Sequence, residues 1–117
     1  MKKIALGQIN IEYGNFEKNL DAAEKIIQTA AQAHADVLLL PELWSSGFDL
    51  RNRSNYVTPN RSLIDHLQFL VDQNHLMIGG TYIHEENGHY YNSFIVLQPK
   101  LPRVYYHKTN LFHLMKE

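Results

Sequence analysis

The chain has 117 residues, of which 44% are apolar, and its 11 basic and 12 acidic residues give a net charge of −1. That size fits one domain or part of one, and the balanced charge argues against a nucleic-acid or anionic-membrane partner, since both need a basic surface. No apolar run approaches the ~20 residues that cross a bilayer, and the start lacks a secretory signal, so we expect a cytoplasmic protein. The absence of cysteine excludes disulfides and thiol catalysis by this chain alone.

The first part of the chain predicts a β-α-β unit. Residues 3–11 alternate loosely and predict a strand. Asn15 is a candidate N-cap for a helix over residues 16–34, in which apolar residues recur at helical spacing. Residues 37–40 form a continuous apolar run ended by Pro41, which is typical of a strand buried on both faces. This order favours parallel neighbours in one sheet.

The second part predicts one helix and three strands. Residues 41–60 are irregular, and a loop of that length in a compact domain is usually functional or disordered. Helical spacing resumes over residues 62–74. An Asn-Gly pair at residues 87–88 is a strong hairpin signal. The resulting order, β-α-β-α-β-β-β, indicates an α/β layered architecture with a mixed sheet, one unpaired edge and one uncovered face. The last three strands are predicted at residues 76–82, 90–98 and 103–107.

Two charged residues follow predicted strands and could carry chemistry. Glu42 comes directly after the buried second strand, and in α/β sheets ligands bind outside the carboxyl ends of strands. Its apolar neighbours Leu43, Trp44 and Phe48 would desolvate the carboxylate, which suits a general base; a solvated loop carboxylate is an equal alternative. Lys108 lies among aromatic residues and could stabilise a developing oxyanion. Taken alone, a lysine stem over aromatic surface with its ammonium in water is the better interpretation.

The seven histidines raise the question of a metal site. His84 and His89 flank the Asn-Gly turn, and His107 and His113 bracket Lys108. Neither pair has the i, i+4 helical spacing or the carboxylate cluster of a typical zinc site. We therefore expect no metal site and no cofactor. A small metal-binding module built on His84, His89 and nearby carboxylates is kept as an alternative hypothesis.

Three motifs occur in one order along the chain. They are Leu-Pro-Glu-Leu-Trp at residues 40–44 followed by Gly47-Phe48, Ile-Gly-Gly at 78–80 followed by Tyr-Tyr-Asn-Ser at 90–93, and Tyr-His-Lys-Thr-Asn-Leu-Phe at 106–112. As an ordered set they resemble the nitrilase or carbon–nitrogen hydrolase superfamily over essentially the whole chain. The resemblance implies an α/β fold that is the N-terminal part of an α-β-β-α layered sandwich with a mixed sheet. Residues 1–117 would then be part of a single domain, truncated before its nucleophilic cysteine.

The resemblance also implies an activity. The complete enzyme would cleave a non-peptide C–N bond of a small amide or nitrile without a cofactor, and we expect a homo-oligomer. Glu42 would be the general base, Lys108 would hold the oxyanion, and Glu117 falls where the family often has a second glutamate that positions the lysine. Trp44 and Phe48 would line the substrate pocket. The context of Glu42 is most similar to the ω-amidase-type members, which deamidate dicarboxylic acid monoamides.

The chain departs from the family pattern at two points. The lysine motif often reads Arg-Lys-x-His-Leu-Phe, whereas His107 and Asn110 stand at its variable positions. The family's cysteine lies beyond the lysine motif, so this chain carries only the glutamate and the lysine and is expected to be inactive alone. The alternative is a complete but non-catalytic, degenerate hydrolase half that acts as a binding or assembly module.

Overall fold

The structure is a computed structural model that describes residues 2–111. Two residues singled out above, His113 and Glu117, lie outside the described residues. A 3₁₀ turn at Leu50–Asn52 precedes the second helix. The helices are α1 (Phe16–Gln32) and α2 (Ser54–Asn74), and the strands are β1 (Ile4–Leu6), β2 (Val37–Leu39), β3 (Met77–Glu86), β4 (His89–Leu97) and β5 (Val104–Asn110).

The five strands form one mixed sheet in the order β1-β2-β3-β4-β5. β1 pairs with β2 and β2 with β3 in parallel, whereas β3 with β4 and β4 with β5 are antiparallel. The α/β class, the mixed sheet and the parallel first strands are therefore confirmed. The strand bounds differ from those expected, because β1 covers only three residues and β5 continues through Lys108 to Asn110.

The sheet has one covered face and one open face. Cross-strand partners share a face, so the register can be followed across the sheet. One row belongs to the main hydrophobic core with residues of both helices, and it consists of Ala5, Leu38, Ile78 and Leu97. The neighbouring row consists of Leu6, Leu39, Gly79, Val96 and Val104. In this second row Leu6 is 67% exposed and Val104 is 50% exposed, so the structure has the uncovered face that the element order predicts.

Helix α1 begins where its N-cap was expected. The Asn15 side chain accepts the backbone N–H of Lys18 at 3.2 Å, which satisfies one of the free donors of the first turn. The buried face then follows helical spacing along Asn19, Ala23, Ile27 and Ala30. Neither helix in the described part of the chain is long and apolar enough to cross a membrane.

Helix α2 begins earlier than expected and includes Pro59. The prediction of an irregular segment through residue 60 was wrong, because a proline in the second turn removes only one intrahelical hydrogen bond. Burial compensates for that loss, since one side of the helix packs into the molecule from its first turn onward. The buried residues are Tyr56, Asn60, Leu63, Ile64, Leu67 and Val71.

Candidate active site

The segment after β2 places Glu42 at the carboxyl end of that strand by means of a turn at Leu43. Leu43 has a φ of 47°, a left-handed conformation that costs an ordinary residue roughly 1–2 kcal/mol. Two contacts compensate for that cost. The Leu43 side chain is completely buried, and its N–H donates to Thr81 Oγ1 on β3 at 2.7 Å. The turn that carries Glu42 is thereby fixed to the neighbouring strand.

Buried amide side chains hold the rest of this segment in place. Asn60 on α2 accepts the hydroxyl of Ser45 at 2.7 Å and donates to the carbonyl of Ile83 at 3.0 Å. Asn19 on α1 donates to the carbonyl of Ser45 at 3.1 Å. Because these bonds join the segment to both helices and to β3, the irregular sequence after Pro41 forms an ordered support for Glu42.

Asp49 attaches the end of the same segment to α2 through a hydrogen bond with Tyr56. It is only 4% exposed and accepts hydrogen bonds from the hydroxyls of Tyr56 and Tyr13 and from the amide of Asn52. The Tyr56 hydroxyl contributes most to holding the pKa of Asp49 below its usual value. Burial, followed by the contact with Asp49, raises the pKa of Tyr56 to about 12. The carboxylate is therefore charged at neutral pH and anchors the segment through its tyrosine partners.

Lys108 lies in a β-bulge of the edge strand β5. The pairing with β4 passes from Ser93↔His107 directly to Asn92↔Thr109, so Lys108 is the additional residue. Bulges often occur beside active sites, where they redirect a side chain. Here the bulge lies next to Asn92 and presents Lys108 to the segment that carries Glu42.

Glu42 is the point at which these elements meet. Its Oε1 lies 3.2 Å from Lys108 Nζ and accepts the side-chain amide of Asn92 at 2.6 Å. The Glu42 side chain is 46% exposed and that of Lys108 is 40% exposed. Leu43 and Trp44 are fully buried, so they support the turn without removing the Glu42 carboxylate from water. In the part of the chain that the structure describes, these neighbours therefore do not bury the Glu42 carboxylate, contrary to the expectation from the sequence.

Trp44 and Phe48, the expected substrate-binding residues, have different surroundings. Trp44 is wholly buried and packs edge-on against Tyr82 with 5.7 Å between the ring centroids. A Cβ at Gly80 would come within 3.2 Å of the Trp44 ring, so the glycine makes room for the indole. Phe48 is 55% exposed. Of the two aromatic residues, only Phe48 is exposed to solvent, and Trp44 belongs to the core.

The structure changes the metal hypothesis. Among residues 2–111, the group of potential ligands is His84, Glu86 and His107, and it does not include His89. The hypothesis of a metal site built on His84 and His89 is therefore wrong about the second histidine, because His107 takes that place beside His84. Tyr82, His84 and Glu86 alternate with Thr81 along β3, so this group lies on the opposite face of the sheet from Thr81 and the Glu42 site.

Sequence reasoning missed two residues that position Glu42, namely Asn92 and Thr81. Asn92 lies in one of the segments that resemble the family's middle strands, and Thr81 directly follows the other. Nothing in a strand sequence shows which of its polar side chains a distant loop will approach. The 50 residues between Glu42 and Asn92 are brought together only by the sheet.

The sequence of this chain matches a known protein family. The family model described as carbon-nitrogen hydrolase matches residues 3–117. The chain belongs to the carbon–nitrogen hydrolase family. The family suggested by the three motifs is therefore confirmed.

Individual relatives cover most of this chain. The 2-oxoglutaramate amidase of Bacillus subtilis is 32% identical over 113 residues, which are 94% of this chain and 43% of the amidase. The nitrilase of Pyrococcus abyssi is 28% identical over 122 residues, covering 99% of this chain and 46% of the nitrilase. A solved CN-hydrolase superfamily protein of Xanthomonas campestris matches 97% of this chain and 43% of its own with a TM-score of 0.82 at 20% identity. The chain thus spans less than half the length of these relatives.

Proposed function

We propose that this chain contributes the glutamate and the lysine of an amidase active site that hydrolyses a non-peptide C–N bond of a small amide. The supporting observation is the convergence of Lys108 Nζ and the Asn92 amide on Glu42 Oε1. These residues come from three separate parts of the chain and meet at the carboxyl end of β2, where α/β folds bind ligands. The carbon–nitrogen hydrolase family supplies the reaction class.

The nucleophile in this proposal is a cysteine outside residues 1–117, which would form the N-terminal part of a single hydrolase domain. Glu42 takes the proton of the thiol, and the thiolate attacks the amide carbon. Lys108 holds the negative charge that develops on the carbonyl oxygen. The amide nitrogen takes the proton and leaves as ammonia, which produces a thioester. Glu42 then takes a proton from water as the water attacks the thioester, releasing the acid and the free thiol.

The rest of the domain would also cover the site. Glu42 and Lys108 are nearly half exposed, and charge stabilisation of an oxyanion is far stronger where water is excluded. The open face of the sheet, with Leu6, Leu39 and Val104, is the surface on which the second sheet of an α-β-β-α sandwich would pack. Phe48 would then border the substrate, with Trp44 supporting the turn beneath it.

The proposed substrate is the monoamide of a small dicarboxylic acid. The relative from Bacillus subtilis acts on 2-oxoglutaramate according to its name and is 32% identical over nearly the whole of this chain. The Pro-Glu-Leu-Trp context of Glu42 agrees with the same ω-amidase type. The nitrilase relative from Pyrococcus abyssi makes a nitrile the substrate to test beside the amide.

The test uses the protein encoded by the whole reading frame, including whatever follows Glu117. Ammonia release from 2-oxoglutaramate is measured for the wild type, Glu42→Gln and Lys108→Met. We expect each substitution to lower kcat/KM by about 10²–10³-fold, the typical effect of losing a positioned acid–base group or oxyanion donor.

Two exposed ion-pair residues provide matched controls. Asp65→Asn and Arg61→Met each remove one partner of a surface ion pair of similar length, and both should retain wild-type kinetics. Activity of Glu42→Gln equal to that of Asp65→Asn would reject the proposed role of Glu42. Amidase activity of residues 1–117 alone, insensitive to thiol reagents, would reject the cysteine mechanism.

A further inference from the structure

Two histidines and one glutamate meet on the sheet face that does not carry the Glu42 site. Glu86 Oε2 lies 2.7 Å from His107 Nε2 and 3.8 Å from His84 Nε2. Each residue offers one ligand atom, and no two of these three atoms are more than 4.8 Å apart. A surface cavity of about 440 Å³ opens beside them and is lined in part by all three. The cluster therefore has three convergent donor atoms with room for water beside them.

We propose that His84, Glu86 and His107 bind one divalent transition-metal ion of the Zn²⁺ type. Two imidazoles and one carboxylate are a donor set that proteins use for zinc, with a fourth position left for water. Ligand distances near 2.1 Å in a tetrahedron separate the donor atoms by about 3.4 Å. The distances from Glu86 Oε2 to the two histidine Nε2 atoms, 2.7 Å and 3.8 Å, lie on either side of this value, and the two histidine atoms are at most 4.8 Å apart. Small side-chain rotations would bring the three atoms to the required triangle.

The surroundings of His107 suit a metal ligand. Its Nδ1 lies 2.6 Å from the hydroxyl oxygen of the fully buried Ser93, and a hydroxyl can either donate or accept. With Ser93 accepting from Nδ1–H, the lone pair of Nε2 is free for the metal; with Ser93 donating, Nε2–H donates to Glu86. A bond to the second ring nitrogen is the usual device that fixes the tautomer of a ligating histidine.

Ring packing holds both imidazoles before any ion binds. The His84 and His107 rings are stacked with centroids 5.3 Å apart and planes 12° apart, and Tyr91 stacks on His107 at 4.7 Å. Arg61, the nearby cation on α2, is paired with Glu85 at 3.1 Å. The cluster is thus oriented by its neighbours, and the charge of Arg61 is balanced by a separate carboxylate.

The positions of the three proposed ligands in the sheet indicate the role of the ion. His84 and Glu86 belong to β3 and His107 to β5, so the ion links two strands that are separated by β4. Lys108 follows His107 directly and lies in the bulge on the opposite face. The ion is therefore a structural clamp on the edge strand that carries the lysine of the proposed active site, and it does not contact the reacting atoms.

The test is a Zn²⁺ titration of the whole protein, prepared without a histidine tag and stripped with a chelator. Calorimetry should give one saturable equivalent, and the melting temperature should rise with free Zn²⁺ because the ion binds only the folded state. Glu86→Gln, at an exposed position, and His84→Gln should each abolish that equivalent. Ser93→Ala should weaken binding by about 10–100-fold, as expected for a residue that orients a ligand.

His66→Gln is the matched control, because His66 pairs with Glu24 at 3.2 Å and belongs to no group of three potential metal ligands among the described residues. It should bind Zn²⁺ like the wild type. Failure of micromolar Zn²⁺ to shift the melting temperature or give a saturable signal would overturn the proposal. Equal loss of binding in His66→Gln and Glu86→Gln would do the same, since it would indicate non-specific surface binding.

Discussion

At the residue scale, Asn92 holds Glu42 in the position that the proposed chemistry needs. Its amide donates to Glu42 Oε1 at 2.6 Å, the same oxygen that faces Lys108. Hydrogen bonds to a charged group are worth about 1.5–3 kcal/mol, and about 1.4 kcal/mol corresponds to a tenfold change in rate. In the protein with the whole hydrolase domain, Asn92→Ala should therefore lower kcat by about 10–100-fold with little change in KM.

Asn74→Ala provides the comparison, because the Asn74 amide only donates to a carbonyl within its own helix. It should leave both constants unchanged. A rise in KM without a fall in kcat for Asn92→Ala would instead indicate that Asn92 contacts the substrate. Full activity of Asn92→Ala would show that Lys108 alone is sufficient to orient Glu42.

The residues of the Glu42 site also illustrate which parts of a site can be predicted from a sequence. Glu42 and Lys108 could be singled out because each lies in a recognisable motif, Glu42 after β2 and Lys108 within β5. The left-handed turn at Leu43 could not be found, because leucine does not favour that conformation and its compensation comes from Thr81, 38 residues away. A backbone conformation that is imposed by tertiary contacts leaves no local signal in the sequence.

At the scale of elements, Asp49 determines how firmly the Glu42 segment is attached to α2. Because the pKa of Asp49 in the folded protein lies below its ordinary value in an unfolded chain, the charged carboxylate stabilises the fold above that ordinary value. This contribution is lost as the pH falls through the folded pKa. The substitution Tyr56→Phe removes the hydrogen bond that contributes most to the lowered pKa of Asp49. It should lower the free energy of unfolding at pH 7 by about 1.5–3 kcal/mol.

Denaturant unfolding between about pH 7 and pH 2 measures this effect. Below pH 4 the stability of Tyr56→Phe should fall less steeply than that of the wild type, because its Asp49 has a pKa closer to the unfolded value. Tyr13→Phe is the control, since Tyr13 is 67% exposed and its bond to Asp49 is 3.1 Å long, so its effect should be smaller. Identical acid profiles for Tyr56→Phe and the wild type would contradict the assignment.

Elements were predictable where one local signal dominated. The Asn15 cap gave the start of α1, and the Asn-Gly pair gave the position of the β3–β4 turn, although β3 continues four residues beyond its predicted end at residue 82. Helix α2 was shortened in the prediction because Pro59 is a strong breaker, whereas burial of Tyr56 and Asn60 decides its actual start. Burial depends on the folded neighbours, so a single sequence underestimates it.

At the scale of the whole molecule, long-range register decides which side chains meet. His84 and His107 come together because β4 pairs with β3 on one side and with β5 on the other. Sequence spacing suggested His89 as the partner of His84, and the structure places His107 there. The α/β class and the mixed sheet, in contrast, follow from the order of elements alone, so they could be predicted without knowing the register.

The open face of the sheet gives a prediction about the whole molecule. In residues 1–117 alone, Leu6→Lys and Val104→Lys replace exposed side chains and should change the free energy of unfolding by less than about 0.5 kcal/mol. If a second sheet covers this face in the complete domain, the same lysines would be buried without a partner. There each should destabilise the protein by about 3–5 kcal/mol, the cost of an uncompensated buried charge.

Leu101→Lys separates this effect from a general effect of added charge. Leu101 is 58% exposed but lies in the turn between β4 and β5, away from the open face. Its substitution should be close to neutral in both proteins, as measured by denaturant unfolding. Equal tolerance of Leu6→Lys in residues 1–117 and in the complete domain would mean that no second sheet packs on this face. The α-β-β-α arrangement, and with it the covered active site, would then have to be abandoned, because Glu42 and Lys108 would remain in water.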